Sequence, residues 1–269
     1  MNVDLKTFIK RLVPPFFADI FKKPRAYGFF GNYEKWDDAL KDSRGYDSPE
    51  ILEKVKTSLL KVKNGEAVYE RDSVIFDTKQ YSWPVLAAML WIASMNDNRL
   101  NVLDFGGSLG SSYFQNIDFL KHLKELHWNI VEQENFVKCG KKYFENDQLR
   151  FYSKIQDCMR AQKPNVFFAS SSIQYIEKPF EVLQEALGFE YVVFDRTTFL
   201  TNTERLTVQK VPPRIYDASY PAWFLNEEKF IDFFKTSYDL IAEFDSLAGN
   251  AIELGDMKGF EKGYIFKKK

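Results

Sequence analysis

Histidine and cysteine are scarce in this 269-residue sequence, with two of each. Cys139 and Cys158 form neither a metal-ligand spacing nor a disulfide framework, which points to a reducing compartment. His122 and His127 alone do not build a histidine metal site or a Ser-His-Asp triad, so no metal is expected. No apolar run reaches transmembrane length, and no signal-peptide core with a small-residue cleavage site is visible. A basic excess is missing too. The 37 Lys and Arg stand against 38 Asp and Glu, a net charge of -1, which argues against a general nucleic-acid binder. What is plentiful is aromatic: Phe, Trp and Tyr make up 17% of the chain, including 26 Phe, enough for a dense core and aromatic-lined pockets. The length permits a large core and one or two domains.

One stretch organises the chain. Leu100, Val102, Leu103 and Phe105 make a buried-strand run, Asp104 sits at its end, and Gly106, Gly107 and Gly110 follow. Ser111 and Ser112 then offer a cap for a helix through Tyr113, Phe114 and Gln115. Strand, glycine turn and helix form the nucleotide-approach unit of doubly wound α/β folds, because glycine lets a ligand come against the backbone. A tight βα turn without ligand would look similar. The dinucleotide pattern G-x-G-x-x-G fails at Ser108 and Ser111. Asp104, Gly106 and Gly110 fall in register with the acidic-x-Gly-x-Gly-x-Gly loop that binds S-adenosylmethionine (SAM) in class I methyltransferases, with the middle glycine displaced to Gly107.

Along the chain, residues 2–25 form a basic, Phe-rich prefix with apolar positions at helical spacing. It reads either as an interfacial helix on anionic lipid or as a segment docked on the chain's own body or a second copy. Residues 27–46 read as a loop with aromatic anchors. Ser48 and Pro49 start a helix that stops at Asn64-Gly65. The polar and aromatic stretch 66–83 is a surface lid or part of a substrate pocket, with Arg71 and Tyr81 as candidate substrate contacts. Residues 85–95 form a nearly all-apolar helix that should pack on a sheet. From residue 100 strands and helices alternate, the signature of a parallel sheet. Strands are expected at 100–105, 128–131, 149–152, 165–170 and 191–194, with helices at 114–126, 136–144, 155–161, 180–187 and 226–234. A strand pair at 238–244 and 264–267 closes the pattern, and 197–223 is a long irregular insertion. The expected architecture is α/β: a Rossmann-like, mostly parallel seven-stranded sheet flanked by helices. Residues 1–83 would be a helical extension or lid and residues 84–269 the nucleotide-binding domain.

Ligands in such sheets bind outside the carboxyl ends of the strands. Glu132, after the second strand, can accept both ribose hydroxyls of a nucleoside or remain a solvated carboxylate; Gln133 assists or faces water. At the fourth strand's end stand Ser170 and Ser171, then Gln174 and Tyr175. Tyr175 can orient a nucleophile or be an ordinary half-buried tyrosine. The fifth strand ends in Asp195-Arg196. Asp195 is the first choice of general base and Arg196 of an anion contact, unless the two form a local ion pair. In the insertion, Arg214, Tyr216 and Tyr220 are candidate acceptor contacts, or else a structural edge.

Several runs then carry a resemblance: Gly65-Glu66-Ala67-Val68-Tyr69-Glu70-Arg71-Asp72-Ser73, Asp104-Phe105-Gly106-Gly107-Ser108-Leu109-Gly110-Ser111-Ser112, Ser171-Ser172-Ile173-Gln174-Tyr175, Asp195-Arg196-Thr197 and Tyr220-Pro221. Together they resemble a family of bacterial class I SAM-dependent methyltransferases whose genes often sit in surface-polysaccharide clusters (capsule, O-antigen). The resemblance implies SAM as cofactor, a cytoplasmic setting, peripheral at the inner membrane if the prefix binds lipid, and a small sugar or nucleotide-linked substrate rather than nucleic acid. Asp104, Gly106, Gly107 and Gly110 would then cradle the methionine end, Glu132 and Gln133 the ribose side, and Ser153, Ser170 and Ser171 the cofactor's flanks. Gln174, Arg196, Arg214, Tyr216, Tyr220, Arg71 and Tyr81 would meet the acceptor, with Asp195 and Tyr175 at the chemistry. The chain departs from the general loop at Ser108 and lacks the common His near Tyr175. An NAD(P)-dependent sugar-modifying enzyme and a non-catalytic scaffold of a glycan-assembly complex are the other classes that fit.

Overall fold

Residues 26–44, 49–247, 249 and 251–269 are described in the computed structural model. The prefix and the cap expected at Ser48 lie outside them. In chain order the elements are β1 (Gly28–Tyr33), α1 (Trp36–Lys41), α2 (Pro49–Lys63), β2 (Tyr69–Arg71), β3 (Val74–Phe76), α3 (Trp83–Met95), β4 (Arg99–Phe105), α4 (Ser111–Leu120), β5 (Glu125–Val131), α5 (Glu134–Tyr143), β6 (Leu149–Tyr152) and α6 (Ile155–Gln162). Then follow β7 (Val166–Ser170), a 3-10 turn (Ile173–Tyr175), α7 (Pro179–Ala186), β8 (Tyr191–Leu200), β9 (Arg205–Lys210), β10 (Ser219–Asn226), α8 (Glu227–Lys235), β11 (Tyr238–Asp245), β12 (Ile252–Glu253) and β13 (Lys258–Lys268).

The central sheet runs β6-β5-β4-β7-β8-β13-β11. The first five strands are parallel, and β13 is antiparallel to both β8 and β11. This is the expected α/β, Rossmann-like architecture, with a mixed sheet flanked by helices. Its parallel strands are apolar on both faces, as strands covered on both sides must be. Val102, Trp128, Phe168 and Val193 point into one core, and Leu103, Val131, Phe167 and Phe194 into the other. Helix α3 is apolar all round because it packs in the first core, where Leu86, Met89 and Ile92 are fully buried. The second core explains the abundance of phenylalanine. Phe194, Phe199, Phe230 and Phe234 pack edge-on or tilted, with centroid separations of 4.9 to 5.7 Å.

Three sequence expectations change. Residues 27–46 are not simply a loop: β1 pairs antiparallel with β9, and α1 follows it. The stretch before residue 83 is therefore part strand. Its helix α2 also contributes Ile51, Val55 and Leu59 to the first core. The insertion 197–223 is not irregular either. Strand β8 runs on to Leu200, beyond the end of β7, and its last residues pair with β10. Strands β10, β9 and β1 then extend the sheet as an antiparallel flap. Tyr and Pro in that stretch masked the alternation of Leu206 and Val208, which are buried against Ala39. Finally, α4 starts at Ser111 and ends at Leu120, and its N-cap is Gly110 in the left-handed conformation, with no side-chain cap from the serines. The residues assigned to its end, 125–126, open β5 instead.

Candidate functional site

A cavity of about 560 Å³ opens at the carboxyl ends of β4, β5, β7 and β8. On one side it meets the glycine turn. Gly106 is at φ +70°, and a side chain there would strike Ser172, 2.5 Å from its Cβ. Its N–H donates to Val131 O at 2.9 Å, pinning the turn to the end of β5. A Cβ on Gly107 would lie 2.5 Å from the Asp104 carboxyl, so this glycine allows the buried carboxylate to sit under the turn. Asp104 accepts from Trp128 Nε1 at 2.8 Å. Burial pushes its carboxyl up to about 7 against that hydrogen bond. Asp104, Gly106, Gly107, Glu132, Gln133, Ser153, Ser170 and Ser171 all line this cavity. Gly110 does not; at φ +108° it packs on Leu149 and Ile130 and serves the turn itself. Ser108 does line the cavity, in the left-handed conformation that usually favours glycine. Ser172 Oγ is buried without a partner at the same wall.

The opposite wall holds the hairpin β2–β3, the flap and the bulge of β8. Asp72 and Ser73 both have positive φ, the geometry of a two-residue hairpin turn, and Asp72 accepts from Arg196 Nη1 at 3.4 Å. At Asp195-Arg196, β8 slips register against β13, where two residues oppose Gly263, and Arg196 takes φ +50°. Such a bulge re-aims a side chain, here turning Arg196 into the cavity. Buried Gln174 braces it, donating from Nε2 to Arg196 O at 2.9 Å. Left-handed, non-glycine residues collect in this wall and the opposite one: Asp72, Ser108, Ser171 and Arg196. Strain of this kind persists where surrounding structure over-determines it, as at binding sites.

The cavity brings together Arg71, Arg196, Tyr175, Tyr216 and Tyr220. Tyr175 donates to Gln209 Oε1 at 2.8 Å and stands edge-on to Tyr220, with ring centroids 5.0 Å apart. Burial raises the Tyr175 hydroxyl and pushes Tyr216 up to about 12, so both stay neutral. Three expected contacts are elsewhere. Gln174 acts on Arg196 from behind, and Arg214 is exposed, its carbonyl accepting from Lys54. Tyr81 stacks with Trp83 and Phe119 in an outer aromatic cluster.

Asp195 does not face the large cavity. It lines a small adjoining chamber of about 40 Å³, together with Arg71, Asn116, Ser170 and Arg196. It accepts from Ser170 Oγ at 3.2 Å, its Oδ1 is buried without a partner, and burial raises its carboxyl. Ser170 in turn accepts from Arg196 Nε at 3.3 Å and lines both spaces. Glu70 and Glu261 are lining residues that sequence reasoning missed. Glu70 is buried and accepts from Ser111 Oγ and the Ser73 N–H; burial pushes it up to about 7. It lay in a run already singled out as polar. Glu261 stands opposite Thr198 in a terminal strand, and nothing local in the sequence distinguishes it.

No protein-family model matches the chain, and no curated protein matches it. Among solved structures, the chain is similar to the N-terminal domain of EvdMO1 crystallised in the presence of S-adenosylhomocysteine (SAH) and D-fucose. That match has 12% identity and a TM-score of 0.46, and covers 84% of this chain and 100% of that one. A SAM-dependent methyltransferase from Clostridium acetobutylicum ATCC 824 is 11% identical with a TM-score of 0.41, covering 68% and 91% respectively. Magnesium protoporphyrin IX methyltransferase from Synechocystis PCC 6803 with bound SAH is 10% identical with a TM-score of 0.42, covering 69% and 81%.

Proposed function

We propose that the chain is a SAM-dependent methyltransferase that O-methylates a sugar, nucleotide-sugar or phosphate-type precursor of a bacterial surface polysaccharide. One observation carries the reading. A single cavity joins a glycine turn and a strand-end carboxylate, Glu132, to a wall of arginines and tyrosine hydroxyls. The first half suits a nucleoside with an amino-acid tail: Glu132 would accept from ribose hydroxyls, and Gly106 and Gly107 carry no side chain to block close approach. The second half suits a polar, hydroxyl-bearing acceptor. The polysaccharide setting rests on the sequence resemblance.

Bound SAM supplies a methyl group on a sulfonium, already activated for in-line attack. The chain's own work is to align the acceptor and take its proton. Tyr175, Tyr216 and Tyr220 orient acceptor hydroxyls through neutral O–H groups. Ser170 links the cavity to Asp195: its hydroxyl takes the acceptor's proton while passing its own to the Asp195 carboxylate. The burial that raises Asp195 makes it a better proton acceptor than a solvated carboxylate.

The test is calorimetric titration of the full chain with SAM and SAH, with NAD and NADP as controls. Saturable binding of the SAM-type ligands alone is expected. Binding of NAD or NADP alone would hand the site to an oxidoreductase, and no binding of any of the four would remove the cofactor assignment.

A further inference from the structure

Arg71 is a charged group of this site with no hydrogen-bond partner among the described residues. It ends β2 and lines both the cavity and the chamber. Among the described residues its side chain makes no hydrogen bond and no ion pair. Nη1 is buried without a partner, and the guanidinium's neighbour is the Phe76 ring, 5.4 Å from its centroid. The nearby carboxylates are turned to other donors. Glu70 takes Ser111 and the Ser73 N–H, Asp72 takes Arg196, and Asp195 takes Ser170. A guanidinium stays charged and presents a planar fork of N–H donors shaped for carboxylate or phosphate. Leaving such a group partly buried and unpaired is unfavourable, so a site that keeps one gains when a ligand completes it.

The chamber behind has its own orphans. Asn116 Oδ1 and Asp195 Oδ1 are buried without partners there, beside Arg71 Nη1. About 40 Å³ is room for one water, which would bridge these acceptors and Nη1. The face of Arg71 toward the large cavity is left for a ligand.

We propose that Arg71 receives one anionic group, a carboxylate or a phosphate monoester, carried by the acceptor. The acceptor is then an acidic or phosphorylated sugar. The proposal deepens the methyltransferase reading and rests on it. The limit to one group comes from the surroundings. Arg196 is already held by Asp72 and Ser170, and Asp72, Glu132 and Glu261 line the same cavity, so a further phosphate would face carboxylates.

Calorimetric titration with D-glucuronate, glucose 1-phosphate and neutral glucose tests this, on the chain alone and saturated with SAH. Saturable binding of glucuronate or glucose 1-phosphate, but not glucose, is expected, and the arm that binds identifies the source of the charge. Arg71→Gln should weaken that binding at least about tenfold with SAH affinity retained, because a charge-assisted bidentate pair is lost. Arg71→Lys should lose less, keeping the charge without the fork. If Arg71→Gln does not fold, the lysine variant decides, and affinity equal to wild type overturns the proposal. Equal binding of glucose, or no binding of either anion, overturns it too. Failure of SAH to bind removes the methyltransferase reading instead, and the titrations on the chain alone then judge the anion site by itself.

Discussion

Two glycines of one turn do different physical work. Gly107 has no room for a side chain, since a Cβ would meet the Asp104 carboxyl at 2.5 Å. Gly110 is less crowded, a Cβ there meeting the Leu149 side chain at a tight 3.2 Å, but it holds φ +108°. We predict that Gly107→Ala displaces Asp104 and the turn above it, weakening SAH binding at least tenfold and destabilising the fold by about 2 kcal/mol through overpacking. Gly110→Ala should destabilise by roughly 1–2 kcal/mol through backbone strain and leave SAH affinity close to wild type, because residue 110 is outside the cavity. Calorimetry and urea denaturation on both variants decide the matter; equal loss of SAH affinity in the two would contradict the division of roles. Sequence spacing alone grouped these glycines together. The distinction depends on what lies opposite each one, and that is a property of β5, β6 and Asp104 in three dimensions.

Helix α8 shows how far an element is legible in a sequence. The sequence placed its start at residue 226; Asn226 is the N-cap, its Oδ1 accepting from the Lys229 N–H at 3.0 Å. Asn226→Ala should cost about 1 kcal/mol, measured as a lower urea midpoint with an unchanged slope. A stability equal to wild type would mean that the cap is replaced by water. Strands β4 and β7 were legible because burial on both faces leaves a local apolar mark, and β6 because its Leu149 and Phe151 alternate with partly exposed residues. Strand β1 and the flap strands left weaker marks. Strand β1 sits at the sheet edge with no fully buried position, and in β10 Tyr220 and Pro221 break the apolar pattern of a mostly buried run. The candidate site divides the same way. Residues at strand ends, such as Glu132 and Arg196, follow from the topology. Glu261 enters the cavity through the pairing of β13 with β8 across 63 residues of chain (261 minus 198), and Asp195 is turned out of it by a bulge that no residue type announces.

Asp104 and Glu70 are buried carboxyls on either side of the cavity, and they contribute to the molecule's response to pH along with Asp195, which burial also raises. Burial pushes Asp104 and Glu70 up to about 7 from ordinary values of 3.8 and 4.5. In the unfolded chain both lose their protons near those ordinary values. Between the two sets of values the folded state therefore holds more protons than the unfolded state, and its stability falls as pH rises. The stabilising contribution is fully present below about pH 4 and is lost as pH climbs through about 7, on the order of 3 kcal/mol for each group. This opposes the usual acid lability of paired surface carboxylates, such as Asp256, which Arg205 holds down at about 2. Asp104→Asn isolates the effect. The amide oxygen can still accept from Trp128 and has no proton to lose, so the variant should gain on wild type from pH 5 to about pH 7 in urea denaturation and hold that gain above it. Glu70→Gln should do the same independently, since its partners Ser111 and Ser73 are distinct from those of Asp104. A variant-minus-wild-type difference that stays flat with pH would show that these carboxyls are ionised in the folded chain at neutral pH, held by donors from water in the cavity.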